Sequence, residues 1–211
     1  MKKELLSKIK NKAVRALQSA GLTFQGISSI ADQVIVFGSC AAGCDTPSSD
    51  VDLLCVGKGA RRDTGRLHLL WVDPSSLSDP DWLGTEIGGH VSKYGIWLSG
   101  KRTLGSSQKP SLRTLEKKRQ RVLDRAAVLK QKWPLLSAGF MATQLRNLRL
   151  DLQRYQMLKS GDPVDPNPIL DRRWTQQTKK VVWLNNLLKD DVELKRAVRA
   201  VNDKAGKSFL K

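Results

Sequence analysis

The sequence predicts an α+β fold: a small mixed sheet with flanking helices, followed by a basic helical domain. Two observations carry this. Three short apolar runs in the first half are rich in β-branched and aliphatic residues and end at Gly, Ser or Asp, as strands do. The second half instead repeats its apolar residues at helical spacing between charges. A third observation separates the halves: residues 1–100 hold 11 Lys/Arg against 10 Asp/Glu, whereas residues 101–211 hold 26 against 10. The net charge of +17 over 211 residues is therefore almost all in the second half. Such an excess selects polyanionic partners rather than a fold.

Several classes drop out. A hydrophobic content of 40% with six Trp is too much core material for a disordered basic tail. No apolar run approaches the ~20 residues that cross a bilayer, and charges interrupt the first residues before a signal-peptide core forms. Three Cys make no disulfide framework, so the expected compartment is the reducing cytoplasm.

In chain order, residues 3–20 read as an amphipathic helix on Leu5, Leu6, Ile9, Val14 and Leu17, stopped at Gly21. Strands are expected at 33–37 (QVIVF), 51–56 (VDLLCV) and 67–72 (LHLLWV), and one or two short helices within 76–98. Residues 1–100 form the first expected domain, 101–111 a linker, and 112–211 the basic helical domain. Within the latter, 112–132 carries an apolar stripe of Leu115, Val122, Leu123, Ala126 and Leu129 up to the break at Pro134. A second helix follows over 136–159, then a loop with three prolines at 161–168. A helix or pair fills 170–204.

The chemistry concentrates in VIVFGSCAAGCDTPSSDVDLLCV (34–56). An apolar strand delivers Gly38-Ser39, ten residues follow, and Asp50-Val51-Asp52 opens the next strand. Alternation puts both carboxylates on one face with Cα atoms about 6.6 Å apart. Two carboxylates so close are stable mainly with a cation between them. A hard ion such as Mg²⁺, completed by substrate phosphates, suits that need. Gly38 lets a phosphate approach the backbone. Ser39 offers a hydroxyl and, if a short helix starts there, N–H groups for the same anion. The bland reading is a Gly-Ser turn and two solvated Asp, which the apolar Val51, Leu53 and Leu54 around them disfavour.

This pattern resembles the DNA-polymerase-β-like nucleotidyltransferase superfamily, in particular its minimal nucleotidyltransferases, over residues 25–100. The resemblance implies that Gly38 and Ser39 contact nucleotide phosphates and that Asp50 and Asp52 bind Mg²⁺. The substrate would be an NTP, with ATP the first expectation. It also implies a third carboxylate on a following strand. At that place stands His68, a poor Mg²⁺ ligand but a competent general base near pH 7, and equally a half-buried strand His. Asp73 and Glu86 are alternatives; turn formation before Pro74 and a helix start explain them as well. Cys40, Cys44, Cys55, His68 and His90 raise zinc, yet C-x3-C-x10-C fits no standard finger, and buried thiols explain the cysteines better.

The expected function is thus transfer of a nucleotidyl group to a nucleic-acid end such as tRNA, or to an acidic protein, with the basic half presenting the acceptor. Some minimal nucleotidyltransferases are toxins or antitoxins, so the resemblance extends to such a role. The rival expectation is a catalytically degenerate nucleotide or nucleic-acid binding module. Trp133, Trp174 and Trp183 are better explained as core than as base-stacking platforms.

Overall fold

The structure is a computed structural model and describes residues 2–205. The chain divides into two compact units: Met1–Lys109 with Pro163–Pro168, and Pro110–Asp162 with Ile169–Lys211.

The first unit is built on a five-stranded sheet. Its elements are α1 (Lys2–Ser19), α2 (Phe24–Ile30), β1 (Gln33–Phe37), a one-turn α3 (Gly38–Ala41) and β2 (Val51–Val56). Then come β3 (Arg62–Thr64), β4 (Leu67–Val72), a 3₁₀ turn at Pro74–Leu77, α4 (Pro80–Leu83), α5 (Glu86–Tyr94) and β5 (Ile96–Ser99). The strand order is β3-β4-β2-β1-β5. Only β2 and β4 run parallel; the other neighbours are antiparallel.

Both faces of this sheet are covered, which is why its central strands read as continuous apolar runs rather than alternating ones. Val34, Val36, Val51, Leu53 and Cys55 pack against Ile9, Ala13 and Leu17 of α1 and Ile27 of α2. Ile35, Phe37, Leu54 and Val56 pack on the other face with Leu77 and with Val91 of α5. The expected strands at 33–37, 51–56 and 67–72 are all present.

Three details differ from expectation. The buried stripe of α1 is Ile9, Ala13, Ala16 and Leu17, while Leu5 and Leu6 are exposed; two alanines carry the close packing and give no hydrophobic signal of their own. The segment 96–99 is a strand pairing with β1, not helix. Arg62–Thr64 adds an exposed edge strand, too short and polar to stand out.

The second unit is helical throughout: α6 (Leu112–Lys132), a 3₁₀ turn at Trp133–Leu135, α7 (Ala138–Ser160), α8 (Asn167–Gln176), α9 (Lys180–Leu187) and α10 (Val192–Ala205). Ser111 and Ser137 cap α6 and α7, each accepting a backbone N–H. Gly161 ends α7 in the left-handed conformation at φ +76°, a conformation glycine adopts without steric cost. The stripe Val122, Leu123, Ala126 and Leu129 is buried as expected, joined by Leu145, Leu148 and Leu152 of α7 and Leu194, Val198 and Val201 of α10. Three helices rather than one or two fill 167–205, and α8 starts inside the expected loop, with Pro168 in its first turn where no N–H is needed. Trp174 is buried and meets Trp183 edge-on at 5.4 Å. Both serve packing.

Much of the basic charge is engaged inside this unit. Asp151 is buried between α6 and α7 and takes Lys118 Nζ at 2.9 Å and Arg125 Nε at 2.7 Å, with Arg121 and Arg154 at 3.7 Å. Arg119 bridges Glu116, Asp191 and Glu193, and Arg146 holds Asp171.

Candidate active site

Parallel pairing of β2 with β4 sets Asp52 directly beside His68. The residues flanking Asp52, Val51 and Leu53, point into the α1 core, so Asp52 emerges on the opposite face with Leu54 and Val56. His68 Nδ1 lies 3.1 Å from Asp52 Oδ1, and its Nε2 lies 3.9 Å from Asp50 Oδ2. Both carboxylates therefore converge on one imidazole, and they share a face as the alternation predicted. With Nδ1–H donating to Asp52, the lone pair on Nε2 faces Asp50 and solvent. Asp50 and His68 are half exposed, Asp52 less so.

The turn at Gly38 closes the site from β1. Gly38 has φ +72°, and a Cβ there would fall 1.9 Å from Asp52 Oδ2. The chain can pass this close to the carboxylate only without a side chain. Gly38 N–H donates to His90 Nε2 at 3.1 Å, and His90 Nδ1–H donates to the Val164 carbonyl at 2.8 Å. These two bonds define the neutral tautomer, since Nε2 must accept. Burial lowers the His90 pKa in agreement, outweighing the raising influence of its hydrogen bonds. α3 begins at this glycine, with half-buried Ser39 as its second residue.

Burial raises the Asp52 pKa above the ordinary carboxylate value; His68 opposes the shift and Asp50 adds to it. A half-buried carboxylate held close to a second one is a place for a cation. Two hard oxygen donors are present, and among the described residues no group of three His, Cys, Asp or Glu side chains is arranged to hold a metal. The donor set fits Mg²⁺ in its common mode, one or two carboxylates plus substrate phosphates. Residues 24–89 match the nucleotidyltransferase domain family. This match is consistent with the DNA-polymerase-β-like nucleotidyltransferase superfamily. It spans β1, α3, β2 and β4 and reaches into α5, so it contains Gly38, Ser39, Asp50, Asp52 and His68 but stops short of His90 and Val164. No curated protein matches the chain. Among the described residues no helix is long and apolar enough to cross a membrane.

The remaining candidates fall elsewhere. Asp73 follows the far end of β4, five residues from His68 and so about 16 Å along the strand. It precedes the 3₁₀ turn at Pro74 and cannot share an ion with Asp52. Glu86 opens α5 after its cap Thr85, where the helix dipole favours a carboxylate. None of the three cysteines forms a disulfide. Cys40 is buried with its Sγ donating to the Asp50 carbonyl at 3.3 Å, and Cys55 lies in the sheet core, its thiol pushed up to about 12 by burial. They pack as small hydrophobes. Sequence reasoning named His90 only among the zinc candidates and missed its bond to Gly38, which depends on how α5 lies across the sheet.

Proposed function

We propose that the protein is a Mg²⁺-dependent nucleotidyltransferase that transfers a nucleotidyl group from an NTP, ATP first, to the end of a nucleic acid such as a tRNA. The supporting observation is the convergence of Asp50 and Asp52 on His68 beside the Gly38 turn, in a nucleotidyltransferase domain. Asp50 and Asp52 would hold the cation, which when bound neutralises triphosphate charge and polarises the α-phosphate. Gly38 keeps the backbone close to Asp52 while its own N–H is taken by His90. Ser39 then offers its N–H and hydroxyl to the phosphates. Asp52 orients His68 through Nδ1, leaving Nε2 to accept the proton of the acceptor hydroxyl as its oxygen bonds to the α-phosphorus and pyrophosphate leaves, as general bases fixed by a carboxylate do. In this reading the His68 imidazole takes the place of the family's third carboxylate.

The proposed organisation is a catalytic part near residues 1–100, joined by 101–111 to a basic part near 112–211 that orients the acceptor. A positive surface suits RNA better than a cationic small molecule. An acidic protein acceptor, as in a toxin–antitoxin pair, is the other outcome of the test.

A second reading is favoured because, among the described residues, no three His, Cys, Asp or Glu side chains are grouped to hold a metal: a domain that binds nucleotide without transferring it. Incubation with each α-labelled NTP, Mg²⁺ and total RNA or lysate separates the two. Label on RNA that vanishes in Asp50→Ala/Asp52→Ala supports transfer; label on protein redirects the acceptor. No label with any NTP, while Mg-NTP still binds, leaves the binding module.

A further inference from the structure

The first half of the chain is nearly neutral in sum but not locally. Lys8, Lys12 and Arg15 follow one another at i, i+4 and i+7 on α1, a single stripe about 10 Å long. They line one side of a groove of about 600 Å³. Arg66, just before β4, lines it as well, and Ser49 and Val51 contribute from the segment carrying Asp50. Val51 packs with the α1 core, so the groove opens on the face opposite Asp52 while being one residue from the carboxylates. A nucleotide held at Asp50 and Asp52 therefore does not fill it.

The counter-charges are sparse. Lys12 pairs with Asp45 at 2.6 Å, and Lys8 pairs with Glu4 on open surface, where such pairs contribute little. Arg15 makes no ion pair among the described residues, and Arg66 gives its guanidinium only to the Pro47 carbonyl at 3.3 Å. No aromatic side chain lines the groove, so it has nothing on which a base would stack. A row of cations without a stacking platform matches a run of backbone phosphates.

We propose that this groove binds the sugar–phosphate backbone of a nucleic acid, holding the strand whose end enters the site at His68. Only the ligand's role as acceptor rests on the function proposed above; the binding does not. Each phosphate contact contributes about one unit to the slope of log affinity against log salt. A fluorescent tRNA-like hairpin titrated into the full chain should bind about 10-fold or more weakly to Lys8→Gln/Arg15→Gln/Arg66→Gln, with the slope reduced by about 2–3. All three side chains are exposed, so the fold should survive, and circular dichroism checks it. Acetylation of Lys8 and Lys12, read by mass spectrometry, should slow several-fold with the hairpin and stay unchanged with Mg-NTP alone. Unchanged affinity and slope in the triple variant would overturn the proposal. Equal protection by Mg-NTP would overturn it in favour of a free polyphosphate site. Asp50→Ala/Asp52→Ala should still bind the hairpin; if wild type binds through the groove yet transfers no label, the groove stands and the transferase reading falls.

Discussion

Gly38 is the residue with least freedom to change. Its φ of +72° alone costs an L-residue about 1–2 kcal/mol, and the added Cβ would lie on Asp52 Oδ2. Gly38→Ala should therefore abolish label transfer by displacing the carboxylate or the turn, while costing only a modest drop in unfolding midpoint; wild-type transfer in that variant would remove the turn from the site. His68 makes a complementary prediction. His68→Ala should lower turnover by roughly 10²-fold or more with NTP affinity little changed, and equal turnover would retire it as the base. Gly38, Asp50, Asp52 and His68 were all legible in the sequence because spacing along two strands determines which side chains share a face. His90 was not, because a contact between residues 52 positions apart leaves no local pattern.

At the scale of elements, the ion cluster linking α6 and α7 carries the clearest pH dependence. Burial works against the Asp151 charge, but Lys118 first, then Arg121 and Arg125, hold its carboxyl below the ordinary value of 3.8. A carboxyl with a depressed folded pKa stabilises above its unfolded pKa, and that stability is lost as pH falls through the folded value. Helicity of the second unit should thus weaken as pH drops below about 4. Asp151→Asn removes the carboxylate charge facing buried Lys118 and Arg125 and should cost about 3–5 kcal/mol in urea denaturation near neutral pH; a loss below about 1 kcal/mol would show that the cluster contributes no more than exposed ion pairs do. The long helices were readable from their apolar period and from the breaks at Pro134 and 161–168, whereas the caps Ser111, Ser137 and Gly161 emerge only in the structure. The edge strands β3 and β5 were not, since three or four residues give no period and form only against a neighbour already in place.

At the scale of the molecule, the first unit is completed by a piece of chain from far downstream. Pro163–Pro168 lies in it, with the Val164 carbonyl on His90 and buried Asp165 holding Lys93 Nζ at 2.8 Å and the Tyr94 hydroxyl. Asp165→Asn should lower the stability of this unit by about 1–3 kcal/mol. Amide exchange across α5 and β1 should accelerate before that of α6 and α7; uniform acceleration, or none, would argue against a local strap. The charge also changes meaning at this scale. The excess that marked the second half is partly spent on Asp151, Asp171 and Asp191, and the nearly neutral half presents an α1 groove with cations largely uncommitted.

By itself, the sequence determined the three inner strands and the long helices, the carboxylate pair and the Gly-Ser turn, because periodicity and spacing are local properties of a chain. The tertiary structure decided that β2 and β4 run parallel with His68 beside Asp52, that His90 takes the Gly38 N–H, and that residues 163–168 close the first unit. Those contacts join residues 16, 52 and 74 positions apart, and packing of the whole sheet, not local preference, fixes which of them meet.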